Sequence, residues 1–169
     1  MQEAHLMETQ QHSQSGVQQY LTFMLDGEEY GVDILRVQEI KGWSAATLIP
    51  NMPDYVKGII NLRGTIVPVI DLRLRFGFEA KEYGATTVVI VVKIEDEGGV
   101  RTVGLVSDAV SEVYNVTDEQ MKPAPDVGEV AVGEFVTGLA LLDEKMVILL
   151  NVDRLVCVSL LESMGSAEQ

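Results

Sequence analysis

From Tyr20 onward, short apolar runs alternate with Gly, Asp and Asn at intervals of about ten residues, a spacing typical of all-β proteins built as small barrels or sandwiches. The runs are rich in Val, Ile, Leu, Tyr and Phe, which favour strands. The first half of the chain contains five predicted strands, at residues 20–25, 29–32, 37–41, 59–62 and 65–72. After an acidic interval the pattern restarts and predicts five more, at residues 87–94, 101–107, 110–116, 135–142 and 145–151. Two sets of five short strands predict two small barrels or sandwiches that pack side by side.

Two tight turns are marked by a glycine after a polar residue. Asp26-Gly27 separates the first two strands and predicts a two-residue hairpin, because glycine adopts a positive φ at little cost. Arg63-Gly64 separates the fourth and fifth strands in the same manner. The fifth strand also contains Pro68, which has no amide hydrogen to donate, so we expect this proline at a sheet edge or a bulge.

Two segments carry helix signals. In the first, Asn51 can cap a helix, Pro53 fits its first turn and Gly58 fits a left-handed stop, so residues 51–58 are expected to form one or two helical turns. In the second, apolar residues spaced along one helical face predict a C-terminal helix over residues 152–164.

The chain is predicted to divide into a tail and one folded domain. Residues 1–18 are rich in Gln and are expected to be disordered, because they cannot bury enough apolar surface to offset the entropy of ordering. The folded domain is predicted to span 19–163, with approximate subdomains at 19–80 and 86–151, and the pattern leaves open an exchange of strands between them. The stretch 117–133, which holds two prolines, is expected to be a long surface loop.

Charge and composition exclude several classes of partner. The formal net charge is −14 and the pI is near 4.4, whereas binding to nucleic acid or anionic lipid depends on clustered Lys and Arg. The apolar runs fall far short of the roughly 18 residues that a membrane-spanning helix needs, and the N-terminus lacks the basic start of a secretory signal. The single cysteine, Cys157, cannot form an internal disulfide. We therefore expect a cytoplasmic protein that binds neither nucleic acid nor membrane directly.

Catalytic and metal-binding signatures are missing from the predicted domain. Both histidines, His5 and His12, lie in the tail, which excludes Ser-His-Asp and Cys-His arrangements and leaves no His ligand for zinc in the domain. The sequence contains no glycine-rich phosphate loop and no Asp-rich calcium loop. It therefore predicts no cofactor, no metal and no enzymatic activity.

Four acidic residues remain as candidates for acid-base chemistry: Asp33, Glu39, Asp71 and Asp108. Isolated acids at the boundaries of turns more often act as caps, which is the favoured interpretation here. Asp71 and Arg73 are two residues apart in a predicted strand and would face the same side, where they would form either a structural ion pair or a partner contact.

The most informative segment is 58–73, in which the polar hairpin tip 61–64 is framed by two apolar strands. A tight turn directs the Arg63 side chain outward, and a guanidinium is a rigid fork of donors suited to a carboxylate or to carbonyl groups. The residues alone leave two roles open for Arg63, a contact with a partner or an internal clamp on the loop.

Five segments of the chain, in this order and at this spacing, resemble the CheW family of bacterial chemotaxis coupling proteins. They are 29–33 (EYGVD), 37–40 (VQEI), 58–73, 87–91 (TVVIV) and 123–125 (PAP). Five ordered matches are much harder to meet by chance than any single one. The resemblance covers residues 19–163, essentially the whole predicted domain.

Membership of this family would imply an all-β fold of two SH3-like five-stranded β-barrel subdomains with small helices. It would imply a non-catalytic adaptor that couples methyl-accepting chemoreceptors to the histidine kinase CheA beneath the cytoplasmic membrane. The implied partners are the regulatory domain of CheA, the cytoplasmic tip of the receptor, and further copies of the adaptor in arrays.

The resemblance also assigns receptor-facing residues. In this family the receptor tip is expected to lie along a groove between the subdomains, and the matching positions here are Val37, Glu39, Ile40 and Arg63. Val37 and Ile40 would supply apolar contact area, whereas Glu39 and Arg63 would set the register by charge.

For the kinase-facing side, the resemblance points to the loop 42–50, with Trp43 and Leu48 as candidate contacts. Large apolar residues are often simply buried, so a core role stays open for both. Three further residues are expected to have structural roles in turns or loops: Gly58, Asn61 and Gly64.

Two other functions stay open at this point. A related coupling module of a non-chemotactic receptor-kinase system would have the same fold and different partners. A small enzyme or ligand-binding barrel would use the acidic residues, and it would require a deep pocket containing several carboxylates with perturbed pKa values.

Overall fold

The computed structural model describes residues 16–96, 98–123 and 135–156. In this part of the chain the β-strands are β1 (Val17–Leu25), β2 (Glu28–Asp33), β3 (Val37–Gly42), β4 (Val56–Leu62), β5 (Thr65–Asp71), β6 (Val88–Asp96), β7 (Gly99–Ser107), β8 (Ala109–Thr117), β9 (Met121–Lys122), β10 (Val136–Leu142) and β11 (Lys145–Leu150). Two short helices, α1 (Leu72–Arg75) and α2 (Val152–Val156), follow β5 and β11. Two 3-10 turns, Ile34–Arg36 and Asp118–Gln120, precede β3 and β9.

The predicted all-β class is confirmed, and each of the ten predicted strands is present. Two boundaries differ from prediction because strand pairing extends further than the local pattern shows. β1 begins inside the predicted tail, since Val17 pairs with Thr117 of β8. β9 lies inside the predicted loop 117–133, since Lys122 pairs with Leu139 of β10. Residues 1–15, 124–134 and 157–169, which include Cys157 and most of the predicted C-terminal helix, lie outside the described residues.

The helix predicted over 51–58 is wrong. Its residues form turns, and strand β4 then begins at Val56. Gly58 lies within β4, beside a bulge, with a φ of +134°. A Cβ at this position would lie 2.2 Å from the carbonyl oxygen of Thr47, so the close approach of the preceding loop requires glycine. Asn51 and Gly58, which were interpreted as the ends of a helix, instead lie in a turn and beside a bulge.

Pro68 lies in an interior strand and not at a sheet edge, because β5 is flanked by β4 and β7. Pro68 is opposite Ile59 of β4. Pairing of β5 with β7 begins only at the next residue, Val69, which is opposite Gly104. The missing amide hydrogen of the proline therefore falls just outside the parallel ladder.

The strands form two sheets whose composition does not follow chain order. One sheet has the order β8-β1-β2-β11-β10-β9, and the other has the order β3-β6-β7-β5-β4. The N-terminal hairpin β1–β2 thus pairs with the C-terminal strands, while β6 and β7 pair with β3 to β5. The subdomain bounds 19–80 and 86–151 remain a prediction, and this pairing shows which strands cross between them.

In each sheet, one continuous stretch of chain connects the two edges. β3 is one edge of the five-stranded sheet, and Thr47, a few residues later, pairs with Ile59 of β4 at the other edge. β8 is one edge of the six-stranded sheet, and it leads through a 3-10 turn to β9, which pairs with β10 at the far side. This arrangement closes each sheet into a small barrel.

The two barrels are built on the same plan. The hairpin β1–β2 corresponds to β6–β7, and the series β3, β4, β5, α1 corresponds to β8, β10, β11, α2. In both, the last strand pairs in parallel with the second strand of the hairpin, placing Leu149 opposite Gly31 and Val69 opposite Gly104. Each barrel therefore takes a hairpin from one half of the chain and its remaining strands from the other half.

The interior is apolar both inside and between the barrels. The largest cluster includes buried side chains from both sheets, among them Phe23, Val32, Ile90 and Leu105. Smaller clusters occupy the five-stranded and six-stranded sheets separately. Burial of one such side chain contributes about 1.5–3 kcal/mol, so the shared cluster holds the two barrels together as one body.

Candidate functional site

Strand β3 carries three of the four residues expected to face the receptor, and it is an edge strand. Its side chains alternate between half-buried and exposed, as expected for a strand with one face on the barrel. Val37 is half-buried and packs against the central core. Ile40 is 41% exposed, a high value for a large apolar side chain. Val37 thus supports the strand from inside, and Ile40 offers apolar surface outside.

The fourth residue, Arg63, lies at the tip of the hairpin β4–β5. It has a positive φ of 51°, as does Gly64 at 89°, which is the geometry of a two-residue hairpin turn. Asn61 closes the turn, since its side-chain oxygen accepts a hydrogen bond of 2.7 Å from the amide of Gly64. Asn61 and Gly64 thus shape the turn, and the Arg63 guanidinium bonds outside its own loop, to Glu39 of β3.

Arg63 and Glu39 form an ion pair that joins the tip of the hairpin β4–β5 to strand β3. The Arg63 Nη1 atom donates to Glu39 Oε2 at 2.6 Å, and the two side chains are 72% and 22% exposed. An exposed pair of this kind contributes only about 0–1 kcal/mol to stability. The pair therefore fixes the position of the two charges at the surface more than it stabilises the fold.

Trp43 and Leu48 lie in the loop after β3 and have different environments. Trp43 is half-buried and packs against the core of the five-stranded barrel, together with Ala46 and Tyr83. Its amide donates to the carbonyl of Thr87 at 3.1 Å, which extends the ladder between β3 and β6. Leu48 is 77% exposed. Trp43 is therefore partly a core residue, whereas Leu48 is a surface residue.

Ile66 is an exposed apolar residue that the sequence did not single out. It is 59% exposed and lies opposite Asn61 on the hairpin β4–β5. Alternation could not reveal it, because β5 carries apolar residues on both faces. A sheet face whose outward positions remain apolar is the signal that would have found it.

Tyr83 and Asp71 form a second feature that sequence reasoning missed. The Tyr83 hydroxyl donates to the Asp71 carboxylate, which is 2% exposed. Burial, followed by the bond to Asp71 and its charge, raises the pKa of the Tyr83 hydroxyl well above its ordinary value. Asp71 also accepts a bond from the Arg73 amide at 2.9 Å and caps α1.

The arrangement expected for Asp71 and Arg73 is wrong, because the cap turns the chain into α1 immediately after Asp71. Arg73 is therefore helical and does not share a strand face with Asp71. Its guanidinium instead pairs with Asp108 at 2.8 Å and with Asp26 at 3.1 Å. These bonds tie α1 to two turns of the barrels.

The four acidic candidates all have structural partners. Asp33 caps a 3-10 turn by accepting from the Leu35 amide at 2.9 Å, and Asp71 caps α1. Asp108 and Glu39 are held in ion pairs with arginines. None of the four is paired with another of the four for acid-base chemistry, and their environment is that of caps and ion pairs.

Two clefts among the described residues are smaller than a typical small-molecule site. One has a volume of about 80 Å³ and is lined by polar side chains that include Arg73 and Tyr83, and the other has a volume of about 210 Å³ and is lined in part by Arg36 and Asp153. Small-molecule sites usually measure roughly 300–1,000 Å³. In the second cleft the two charges neutralise each other in a salt bridge of 2.8 Å.

The described ranges, 16–96, 98–123 and 135–156, show neither a membrane-spanning helix nor a cluster of metal ligands. Within them, no helix has the length and apolarity needed to cross a bilayer. Over the same ranges, His, Cys, Asp and Glu side chains do not gather in threes as they would around a metal ion.

The geometry can be set beside known proteins. A family described as the CheW-like domain matches residues 19–158. The chain is 48% identical over 138 residues to the chemotaxis protein CheW of Klebsiella aerogenes, covering 82% of this chain and 81% of that protein. It is 36% identical over 140 residues to a probable chemotaxis protein CheW of Rhizobium etli, covering 83% and 88%.

A solved structure agrees with these relatives. The scaffolding protein TtCheW from Thermoanaerobacter tengcongensis matches with a TM-score of 0.75 and 38% identity, over 83% of this chain and 93% of that one. The match of fold, of sequence and of the family domain over most of the chain leads to one conclusion. This chain belongs to the CheW-like family of chemotaxis scaffold proteins.

Proposed function

We propose that this protein is a non-catalytic adaptor that couples methyl-accepting chemoreceptors to the histidine kinase CheA, so that the receptor controls kinase activity. It acts in the cytoplasm, within receptor arrays at the inner membrane. The observation that carries the proposal is the Glu39–Arg63 ion pair at the surface of a barrel of this family, on an edge strand that also exposes Ile40.

The receptor-facing surface consists of Val37, Glu39, Ile40 and Arg63. Its chemistry suits a helical hairpin tip, because the same strand and hairpin supply exposed apolar area and two charges of opposite sign. Apolar area supplies affinity, whereas charged groups at the rim fix register and exclude wrong partners. Arg63 is 72% exposed even with its ion pair made, so most of its donors remain accessible to a carboxylate or to helix-end carbonyls.

The kinase-facing surface consists of Trp43, Leu48 and Ile66. Leu48 and Ile66 are 77% and 59% exposed, and the loop that carries Leu48 is bonded to β4 beside the hairpin that carries Ile66. Large apolar side chains that are this exposed favour a protein partner over solvent. Regulatory domains of the same barrel fold would meet it edge to edge.

The test is a binding measurement with the two partners kept separate. The purified protein is titrated with a receptor signalling fragment and, in a second arm, with the regulatory domain of CheA. The variants are Glu39→Ala and Arg63→Ala. The matched control is Asp143→Ala, at the tip of the corresponding hairpin β10–β11. We expect receptor affinity to fall about tenfold in both variants, with kinase affinity and the control unchanged.

The outcomes separate the alternatives. Wild-type protein that binds neither partner would contradict the adaptor function. Protein that binds the kinase domain but no chemoreceptor fragment would favour a coupling module of a non-chemotactic system. If both variants still bound the receptor fragment with wild-type affinity, the adaptor function would stand, but the proposed receptor-binding site would be wrong.

A further inference from the structure

We infer that Tyr83 is the positioning residue of the kinase-facing loop, holding Trp43 with its ring while its hydroxyl is anchored on the buried Asp71. The inference rests on the proposed function, because it concerns the loop 42–50 that the adaptor would present to the kinase. In this role Tyr83 does not itself contact the kinase. It fixes the orientation of Trp43, which does.

The first step is the contact between the two rings. The centroids of Trp43 and Tyr83 are 4.5 Å apart, and the rings are inclined at 66°, an edge-to-face arrangement. The ammonium of Lys57 lies 6.0 Å from the Tyr83 centroid, so β4 contributes a further contact on that ring. Both rings pack against the core of the five-stranded barrel. Tyr83 is thus fixed between the barrel and the loop.

The second step is the anchor. Asp71 is buried at the end of β5, and its position is set by the amides of α1 that it caps. A carboxylate held in this way is a rigid acceptor for the Tyr83 hydroxyl. Tyr83 belongs to a segment between α1 and β6 that has no strand or helix of its own. The hydroxyl therefore ties an irregular segment to a fixed point of the barrel.

The backbone bonds of the loop 42–50 fix its position but not the orientation of the indole. Its backbone is bonded to the barrel at Trp43, whose amide donates to Thr87, and at Thr47, which pairs with Ile59. These bonds place the loop, and they do not select a rotamer for the indole. The ring of Tyr83 packs against the indole, so the exposed part of Trp43 is presented in one orientation.

The chain offers a direct readout, because Trp43 is its only tryptophan. Acrylamide quenching of its fluorescence measures how well the indole is shielded in the folded, full-length protein. Tyr83→Phe keeps the ring and removes the anchor, and Tyr83→Ala removes both. Tyr114→Phe is the matched control, since it removes a hydroxyl that accepts a bond from Lys145 in the other barrel.

We expect quenching to increase from wild type to Tyr83→Phe to Tyr83→Ala, with Tyr114→Phe equal to wild type. Affinity for the CheA regulatory domain should fall about two- to tenfold in Tyr83→Ala, as expected for the loss of an aromatic pair. Tyr83→Phe should recover part of that loss, and affinity for the receptor fragment should not change. Far-ultraviolet circular dichroism checks that the variants are folded.

Three results would overturn the inference while leaving the adaptor function intact. The first is a Trp43 that stays shielded in Tyr83→Ala. The second is a Trp43 that becomes accessible while kinase affinity is retained. The third is an equal loss of receptor and kinase affinity, which would indicate a general structural role. A wild type that binds neither partner is a different result, because it contradicts the adaptor function itself.

Discussion

The hairpins β4–β5 and β10–β11 occupy corresponding places in the two barrels and differ in the charge of their tips. Both turns begin with a residue of positive φ, Arg63 at 51° and Asp143 at 53°. Both hairpins are bulged beside a glycine, Gly58 in β4 and Gly138 in β10. The first tip reads Arg-Gly, whereas the second reads Asp-Glu. Corresponding hairpins thus present a cation on one barrel and two anions on the other, and only the first turn has a positive φ at both tip residues.

The side chains beside the tips also differ in what they bind. Arg63 pairs with Glu39 at the surface, with most of its guanidinium exposed. In the second hairpin, Lys145 is bonded to the nearly buried Glu29 at 3.3 Å and to the Tyr114 hydroxyl at 2.6 Å, while its own side chain stays 48% exposed. Both tips are exposed, but the first is paired with a strand of its own barrel through Arg63 itself, whereas beside the second it is the next residue, Lys145, that makes the bonds. A duplicated scaffold therefore determines where a tip lies, and the side chains determine what it does.

The largest expected effect is on the free energy of unfolding, and it differs between the two bulge glycines, Gly58 and Gly138. A Cβ at Gly58 would lie 2.2 Å from a backbone oxygen of Thr47 and would require a strained φ of +134°. A Cβ at Gly138 would lie 2.8 Å from a backbone oxygen of Lys122, without a positive φ. We expect Gly58→Ala to lower the free energy of unfolding by about 3 kcal/mol and Gly138→Ala by about 1 kcal/mol.

Urea denaturation followed by circular dichroism measures both values. Gly64→Ala is a useful control, because a Cβ there would meet nothing within 4 Å and only the positive φ of 89° is strained. Equal losses in Gly58→Ala and Gly138→Ala would contradict the explanation, since they would show that the bulge itself matters and the approach of Thr47 does not.

These glycines also show how much of the fold was predictable. The strands and their turns could be read because alternation and turn residues report the local backbone. The helix signals at Asn51 and Gly58 were real constraints on φ, at 62° and 134°, but they served a turn and a bulge. Pairing order depends on contacts between distant residues, such as Tyr30 opposite Ile148, and local periodicity does not encode it.

The site was predictable only in part, for a related reason. Family resemblance singled out Glu39 and Arg63, and the structure adds that they touch. Tyr83 was missed because it lies in a polar, irregular segment, and only the fold brings it to Asp71 and Trp43. A residue that positions another leaves no periodic or compositional signal in the sequence.

An intermediate effect would show whether Arg63 is a contact or only a clamp. The single variants Arg63→Glu and Glu39→Arg place like charges side by side, and the double variant restores an ion pair with the charges exchanged. We expect stability to change by less than about 1 kcal/mol in the singles, because the pair is exposed, and to return in the double variant. Receptor affinity should fall about tenfold in all three.

Isothermal titration with the receptor fragment makes that comparison, with Asp143→Arg as the control on the second tip. Recovery of receptor affinity in the double variant would mean that the ion pair acts only within the protein. Persistent loss would mean that the partner reads the sign of each charge at its own position. Loss in Asp143→Arg as large as in Arg63→Glu would remove the distinction between the two tips.

The smallest expected effect is on the thermal stability that Lys145 contributes through its bonds to Glu29 and Tyr114. The hydrogen bond to the Tyr114 hydroxyl, and then the bond to Glu29, raise the pKa of Lys145 above its ordinary 10.5. A lysine whose pKa is raised by folding stabilises the protein fully below pH 10.5 and loses that contribution as the pH rises through the folded value. Lys145→Ala should therefore lower the Tm near pH 8, and the difference from wild type should narrow above pH 10.5.

Thr65→Ala, at the same register position of the first hairpin, should leave the Tm unchanged, because no buried carboxylate depends on it. A Tm difference that persisted undiminished at high pH would show that Lys145 acts through packing of its stem and not through its charge.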